Sequence, residues 1–328
     1  MVDRHSPLAR RGTTYAGVCE AARAVMALAL ASCGSGGCDS LSRVPAETSG
    51  SVAPPAPTTQ PATEVATSPL STQEAATEGP SGAAGEPSSP PAPKGLPPLT
   101  APGALVELPV EGHAPAVLAV PLGATRPRPV VLATHGNFDR PEWQCQVWRE
   151  IVGPEVFVLC PRGKARGDSP APDDTRFTYA NNQALEKEIR AGLDALRALY
   201  PEHVAEGPVV YTGFSLGAIM GVAIMGRDPA QFPRMILVEG GSEKLTAGAV
   251  SAFAKAGGQR VLFGCGQGGC VGSSNAAARL LEKAGVAARV VHGKGVGHSY
   301  DGAVATEVAG AFGWLVEGDA RFAPSVAP

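Results

Sequence analysis

Aromatic residues are scarce in this 328-residue chain, at 5% of the total, and between positions 34 and 103 there are none. That stretch consists largely of SVAPPAPTTQPATEVATSPLSTQEAATEGPSGAAGEPSSPPAPKGLPP, with Val and Leu appearing only singly. It cannot bury enough apolar surface to offset its ordering entropy, which excludes a packed domain there. The composition predicts a disordered, proline-stiffened tether over residues 33–103. A basic excess is missing too: the net charge of -3 and the pI near 6.1 exclude nucleic acid as an expected partner. No apolar run approaches the ~20 residues that a membrane-spanning helix needs. P-loop, HExxH and EF-hand patterns are also lacking, so neither a cofactor nor a metal is expected.

What the chain does contain begins with an address. Arg4, Arg10 and Arg11 precede the short apolar run Ala24-Val25-Met26-Ala27-Leu28-Ala29-Leu30, and small residues come after it. A positive segment, an apolar segment and small residues describe an export signal over residues 1–32, interrupted by Glu20 and Arg23. Leu30-Ala31-Ser32-Cys33 resembles the bacterial lipoprotein signal, in which the cysteine becomes the lipidated first residue. This implies an anchor on Cys33, a membrane as partner, and a folded domain facing the periplasm or the cell exterior. Ordinary secretion with a chance cysteine is the plainer alternative.

Residues 104–328, which carry all three tryptophans, are enough for one well-buried domain. Its four cysteines fit a compartment that permits disulfides. Cys265 and Cys270 enclose only Gly-Gln-Gly-Gly, which makes a local bridge easy and leaves Cys145 for Cys160. Zinc would call for CxxC-like spacing, and there is none.

From residue 130 onward, apolar β-branched runs alternate with helical patterns. Strands are expected at 130–134, 156–160, 209–213, 235–239, 260–264 and 289–292, with an antiparallel hairpin from 104–108 and 117–120 at one edge. Helices are expected near 141–151, 182–199, 215–225, 245–256, 274–284 and 303–316, the second with Leu185, Ile189, Leu193, Leu196 and Leu199 on one side. Continuous apolar strands separated by helices predict an α/β protein, a three-layer α/β/α sandwich on a mostly parallel sheet of about eight strands.

In such sheets the chemistry gathers at the carboxyl ends of the strands. The strand at 209–213 runs into Gly213-Phe214-Ser215-Leu216-Gly217 and then a helix. Composition alone gives roughly 0.3 matches to G-x-S-x-G in so glycine-rich a chain, so the strand and helix around it carry the weight. Small residues on both sides let the serine sit on a strained turn, with a helix N-terminus behind it. A serine hydroxyl needs a neutral imidazole to attack, and His298 lies in a glycine-rich loop after the last strand. His292 lies inside that strand, too far down. Asn137, after the strand at 130–134, and Leu216 are the expected main-chain donors of an oxyanion hole, with His135 bracing the loop.

Strand–His135-Gly136, strand–Gly213-x-Ser215-x-Gly217–helix and strand–loop–Gly297-His298–helix, in that order, resemble an α/β-hydrolase over residues 105–318. The resemblance implies a serine hydrolase working through an acyl-enzyme, with Ser215 as nucleophile and His298 as general base. The sequence departs from the family at the acid: after the strand that precedes the histidine strand stands Gly264-Cys265-Gly266-Gln267-Gly268-Gly269-Cys270, with no carboxylate. Some members carry the acid one strand earlier, where Glu239 stands; Glu243 and Asp301 are the alternatives. Gly264-x-Gly266-x-x-Gly269 also imitates a dinucleotide-binding turn, but Val291 and His292 stand where its acidic partner belongs.

The excursion at 161–181 is expected to cross the rim of the site, with Arg162, Arg166, Phe177 and Tyr179 as candidate lining. A short connection after residue 239 leaves no room for a large lid, which favours small esters or short acyl chains. A peptide bond, cleaved as in the prolyl-oligopeptidase catalytic domain, is the enzyme alternative; a tethered binding protein that has lost catalysis is the other.

Overall fold

The computed structural model describes residues 95–323. The expected export signal, Cys33, and the tether up to residue 94 lie outside the described residues, as do residues 324–328.

Eight strands form one sheet: β1 (Leu105–Leu108), β2 (Ala116–Ala119), β3 (Val130–Thr134), β4 (Phe157–Cys160), β7 (Val210–Phe214), β8 (Arg234–Val238), β9 (Arg260–Cys265) and β10 (Ala287–His292). Their order is β1-β2-β4-β3-β7-β8-β9-β10. The pairings β1–β2 and β2–β4 are antiparallel and all the others parallel, so the hairpin lies at one edge as expected.

Uninterrupted apolar runs form these strands because both faces of the sheet are covered. Along β3, β4, β8 and β9 alternate residues divide between two cores. Leu132, Leu159, Leu237 and Phe263 face one, while Val131, Val158, Ile236 and Leu262 face the other. The first core is closed by α2 (Asn182–Leu199), α3 (Leu216–Arg227), α4 (Ala247–Lys255) and α5 (Gly268–Lys283); the second by α1 (Pro141–Val152) and α6 (Gly302–Val316). Each fully buried Leu, Ile or Phe contributes about 1.5–3 kcal/mol by leaving water. Helix α2 begins where the Asn181 side chain accepts from the Ala184 N–H, and it buries Leu185, Ile189, Leu193 and Leu196. Leu199, expected on the same stripe, is 51% exposed in the last turn.

Three differences from the sequence reading have local causes. The domain reaches back past residue 104: Leu96 and Leu99 donate main-chain N–H bonds to Thr125 and Ala124, and Leu99 is buried in the core. Prolines hold this segment extended, so its two leucines can pair and pack. Helix α5 starts at Gly268 rather than at 274, taking Gly268, Gly269 and Cys270 into its first turn and leaving Gly266 and Gln267 as the whole strand-to-helix turn. The excursion at 161–181 contains a small hairpin, β5 (Lys164–Ala165) with β6 (Phe177–Thr178). Phe177 continues that pairing onto Asp139, which ties the excursion to the loop after β3.

Candidate active site

Strands β3, β7, β8 and β10 all deliver their connecting loops to one edge of the sheet. Ser215 sits between β7 and α3 at φ 50°, ψ -110°, a left-handed conformation that a serine adopts only under constraint from its surroundings. The constraint is visible in its neighbours. A Cβ on Gly213 would lie 2.6 Å from the Ala218 nitrogen, and one on Gly217 would lie 2.5 Å from the Thr134 carbonyl oxygen. Only glycines let strand, turn and helix approach this closely. The Ser215 N–H donates to the Val238 carbonyl at 2.9 Å, which pins the turn to β8.

The Ser215 hydroxyl lies 3.0 Å from His298 Nε2, and His298 Nδ1 lies 3.1 Å from Glu239 Oε2. The Glu239 carboxylate can only accept, so Nδ1 carries the proton and donates it, leaving Nε2 to accept from the hydroxyl. The Glu239 side chain is 1% exposed and that of His298 46%, so the acid is buried while the imidazole edge is open to a ligand. Glu239 Oε1 accepts from the N–H groups of Gly266 (2.5 Å) and Gln267 (2.9 Å) at the start of α5. The turn that imitates a dinucleotide-binding loop thus directs its amides at a carboxylate of the chain itself.

The rival residues stand elsewhere. Asp301 stands at the N-cap position of α6 without a side-chain cap bond, and its carboxylate accepts from the Ser299 hydroxyl; Glu243 is exposed in the short 3-10 turn Ser242–Lys244. Neither is bonded to His298. His292 ends β10 opposite Cys265.

Gly136 packs closely on the elbow: a Cβ there would lie 2.8 Å from the Phe214 ring and 3.4 Å from the Ser215 Cβ. The next residue is Asn137, and neither its N–H nor that of Leu216 has an acceptor among the described residues. The Asn137 side chain is exposed and accepts from Arg166 at 2.7 Å. His135 is buried, stacked on Tyr179 at 4.3 Å, with ring nitrogens 2.7 Å from the Gly136 carbonyl and 3.0 Å from that of Arg162. It braces the loop. Of the expected rim, Phe177 and Tyr179 are instead buried, because the excursion folds back onto the loop after β3. Arg162 is spent on Glu142 and Glu107; Arg166 remains beside Asn137, with Asp168.

Two supports were not legible in the sequence. Asp139, buried below the Asn137 loop, accepts from Gly136 N–H, Arg140 N–H, Gln144 and the Tyr300 hydroxyl, and so joins this loop to the one carrying His298. Burial, together with the Asp139 charge and hydrogen bond, holds the Tyr300 phenol well above its usual pKa and hence protonated as the donor. Phe214 packs between His298 and Tyr300, with ring centroids 4.9 and 4.7 Å away. The only faint sequence cue was their position, each one or two residues from a predicted site residue.

A cavity of about 310 Å³ opens beside Ser215 and His298, with Ser242, Ser273, Gln267 and Glu243 on its walls. Cys145 and Cys160, and Cys265 and Cys270, lie at disulfide-bonding distance. Glu239, Cys265 and Cys270 form the one convergent donor group among the described residues, and the pairing of its two sulfurs leaves it no thiolate for a metal.

The sequence matches no protein-family model and no curated protein. Among solved structures, a thermostable esterase is similar at 18% identity and TM-score 0.44, over 65% of this chain and 63% of that one. Acylaminoacyl peptidase from Pyrococcus horikoshii gives 15% identity and TM-score 0.48, over 68% and 42%. S-formylglutathione hydrolase from Agrobacterium tumefaciens gives 14% identity and TM-score 0.44, over 62% and 89%. The chain therefore spans less than two thirds of the esterase and of the peptidase. The functional reading rests on the geometry at Ser215, His298 and Glu239 and not on these likenesses.

Proposed function

We propose that this chain, which has the α/β-hydrolase fold, is an exported serine hydrolase that cleaves small carboxylic esters through an acyl-enzyme on Ser215. The observation that carries the proposal is the continuous hydrogen-bonded relay from Ser215 through His298 to Glu239, at the strand ends where the fold's loops converge.

In the first step the Ser215 oxygen attacks the ester carbonyl while its proton passes to His298 Nε2. Glu239 stabilises the imidazolium that forms. Negative charge develops on the carbonyl oxygen and is taken up by the main-chain N–H groups assigned to it in this proposal, those of Leu216 and Asn137, backed by the N-terminus of α3. The intermediate collapses, His298 returns the proton to the departing alcohol, and the acyl group stays on Ser215. Water then repeats the sequence, with His298 taking its proton and Ser215 leaving.

A cavity of about 310 Å³ with hydroxyl, amide and carboxylate groups on its walls suits short or polar acyl groups and fits a long alkyl chain poorly. Export and a lipid anchor on Cys33 rest on the arginine-led apolar segment and the Leu30-Ala31-Ser32-Cys33 motif, and the two cysteine pairs suit that compartment.

The test is hydrolysis of p-nitrophenyl acetate and butyrate by the full chain beside Ser215→Ala. Turnover in the native protein and its loss in the variant is the expected result. A native protein that neither turns over these esters nor reacts with a fluorophosphonate at Ser215 would overturn the proposal. For the anchor, Cys33→Ser should move the protein from the membrane to the soluble fraction; unchanged fractionation removes Cys33 from that role.

A further inference from the structure

The buried carboxylate of the relay is held mainly by a turn that belongs to a different strand. Gly266 and Gln267, the whole connection from β9 to α5, aim both their N–H groups at Glu239 Oε1, which leaves Oε2 for His298. The same turn abuts the histidine loop: a Cβ on Gly266 would lie 2.1 Å from the Gly297 carbonyl oxygen, one residue before His298. It thus sets the distance between acid and base from both sides. Cys265, fully buried at the end of β9, and Cys270, in the first turn of α5, flank this turn with their sulfurs at bonding distance.

A short turn built on glycine has wide backbone freedom, and a site needs its groups held within about 0.5 Å of the productive geometry. A covalent link between the strand end and the helix start removes that freedom. We infer that the Cys265–Cys270 bridge is a positioning device for Glu239, and that the relay is the dominant arrangement only where this bridge is oxidised. The inference rests on the proposed catalytic role of the relay and deepens it: activity is coupled to an oxidising compartment through the acid, not through overall stability.

The experiment compares the full chain with Cys265→Ala/Cys270→Ala, Glu239→Gln and the combination of the three changes. Loss of the bridge should lower kcat about 10–100-fold with KM little changed, and should cost nothing further in the Glu239→Gln background. An equal loss in both backgrounds would show a merely structural bridge and overturn the inference. The second readout needs no turnover: the low-field proton NMR signal of His298 Nδ1–H, bonded to Glu239, should vanish without the bridge. Its persistence would overturn the inference.

If the alanine variant does not fold, dithiothreitol on the folded native protein serves instead. It delivers two electrons and two protons to the bridge, leaving two thiols and closing to its own cyclic disulfide; mass spectrometry identifies the pair opened, and the same signal is read. A native protein with the NMR signal but with neither Ser215-dependent turnover nor fluorophosphonate labelling would sink the proposed function and leave the signal to decide this inference separately.

Discussion

Phe138, Ser215 and Glu239 are the non-glycine residues with left-handed backbone among those described, at φ 64°, 50° and 51°. They stand at the exits of β3, β7 and β8, so the strain of the chain is collected where the relay lies. Each such residue costs on the order of 1–3 kcal/mol and persists only because its surroundings determine it. Ser215→Gly should therefore raise the denaturant midpoint while abolishing turnover; a lowered midpoint would show that the turn is not strained. Gly217→Ala should act oppositely, costing about 1–3 kcal/mol as its methyl group meets the Thr134 carbonyl. Glu239→Gln leaves this geometry in place but removes the acceptor that fixes the imidazole tautomer, so kcat should fall by about 10³–10⁴ with the unfolding transition little changed. Asp301→Asn, whose side chain binds Ser299 and makes no cap bond to α6, should stay within several-fold of native turnover.

At the scale of elements, the loops after β3 and β10 form one unit through Asp139 and Tyr300, whose bond spans 3.2 Å. Tyr300→Phe leaves the buried carboxylate short of one donor and should cost about 1.5–3 kcal/mol of stability, together with a several-fold loss in kcat. Unchanged stability would mean that water replaces the phenol. The strands were readable because each is a short apolar run between turn residues, and α2 because its leucines recur on one side. The start of α5 was not readable: glycines and a cysteine look like loop until the pairing of Cys270 with Cys265 pulls them into the first helical turn. Phe177 and Tyr179 looked like rim for a similar reason. Nothing local says that their excursion folds back to pair with Asp139.

For the whole molecule, two features set stability away from the site. Cys145 and Cys160 link α1 to β4 across 15 residues, a closure worth about 3 kcal/mol in the loop-entropy account. Cys145→Ala/Cys160→Ala should lower the denaturant midpoint accordingly, and an unchanged midpoint would show the pair unbonded in solution. Near the C-terminal end, Asp319 accepts from Arg321 and Arg234, and the Arg321 hydrogen bond above all holds its carboxyl below the usual range. A lowered folded pKa adds stability above the ordinary aspartate value, and this is lost as pH falls through the lowered one. Thermal unfolding of the native protein and Asp319→Asn should therefore differ at neutral pH and converge in acid; curves that stay parallel would rule this linkage out.

By itself the sequence determined the alternation of strands and helices, the parallel sheet, the turn at Ser215 and the order in which the serine and histidine loops arrive. Those are local properties, written in runs of a few residues. Only the tertiary structure decided which carboxylate faces His298, which amides hold it, and that Asp139 joins two distant loops. Ser215 and His298 are 83 residues apart and Glu239 and His298 are 59 apart, so their meeting depends on where the sheet ends each strand. Several acidic residues had a suitable position in the chain; burial against the amides of Gly266 and Gln267, a contact between neighbouring strand ends, singled out Glu239.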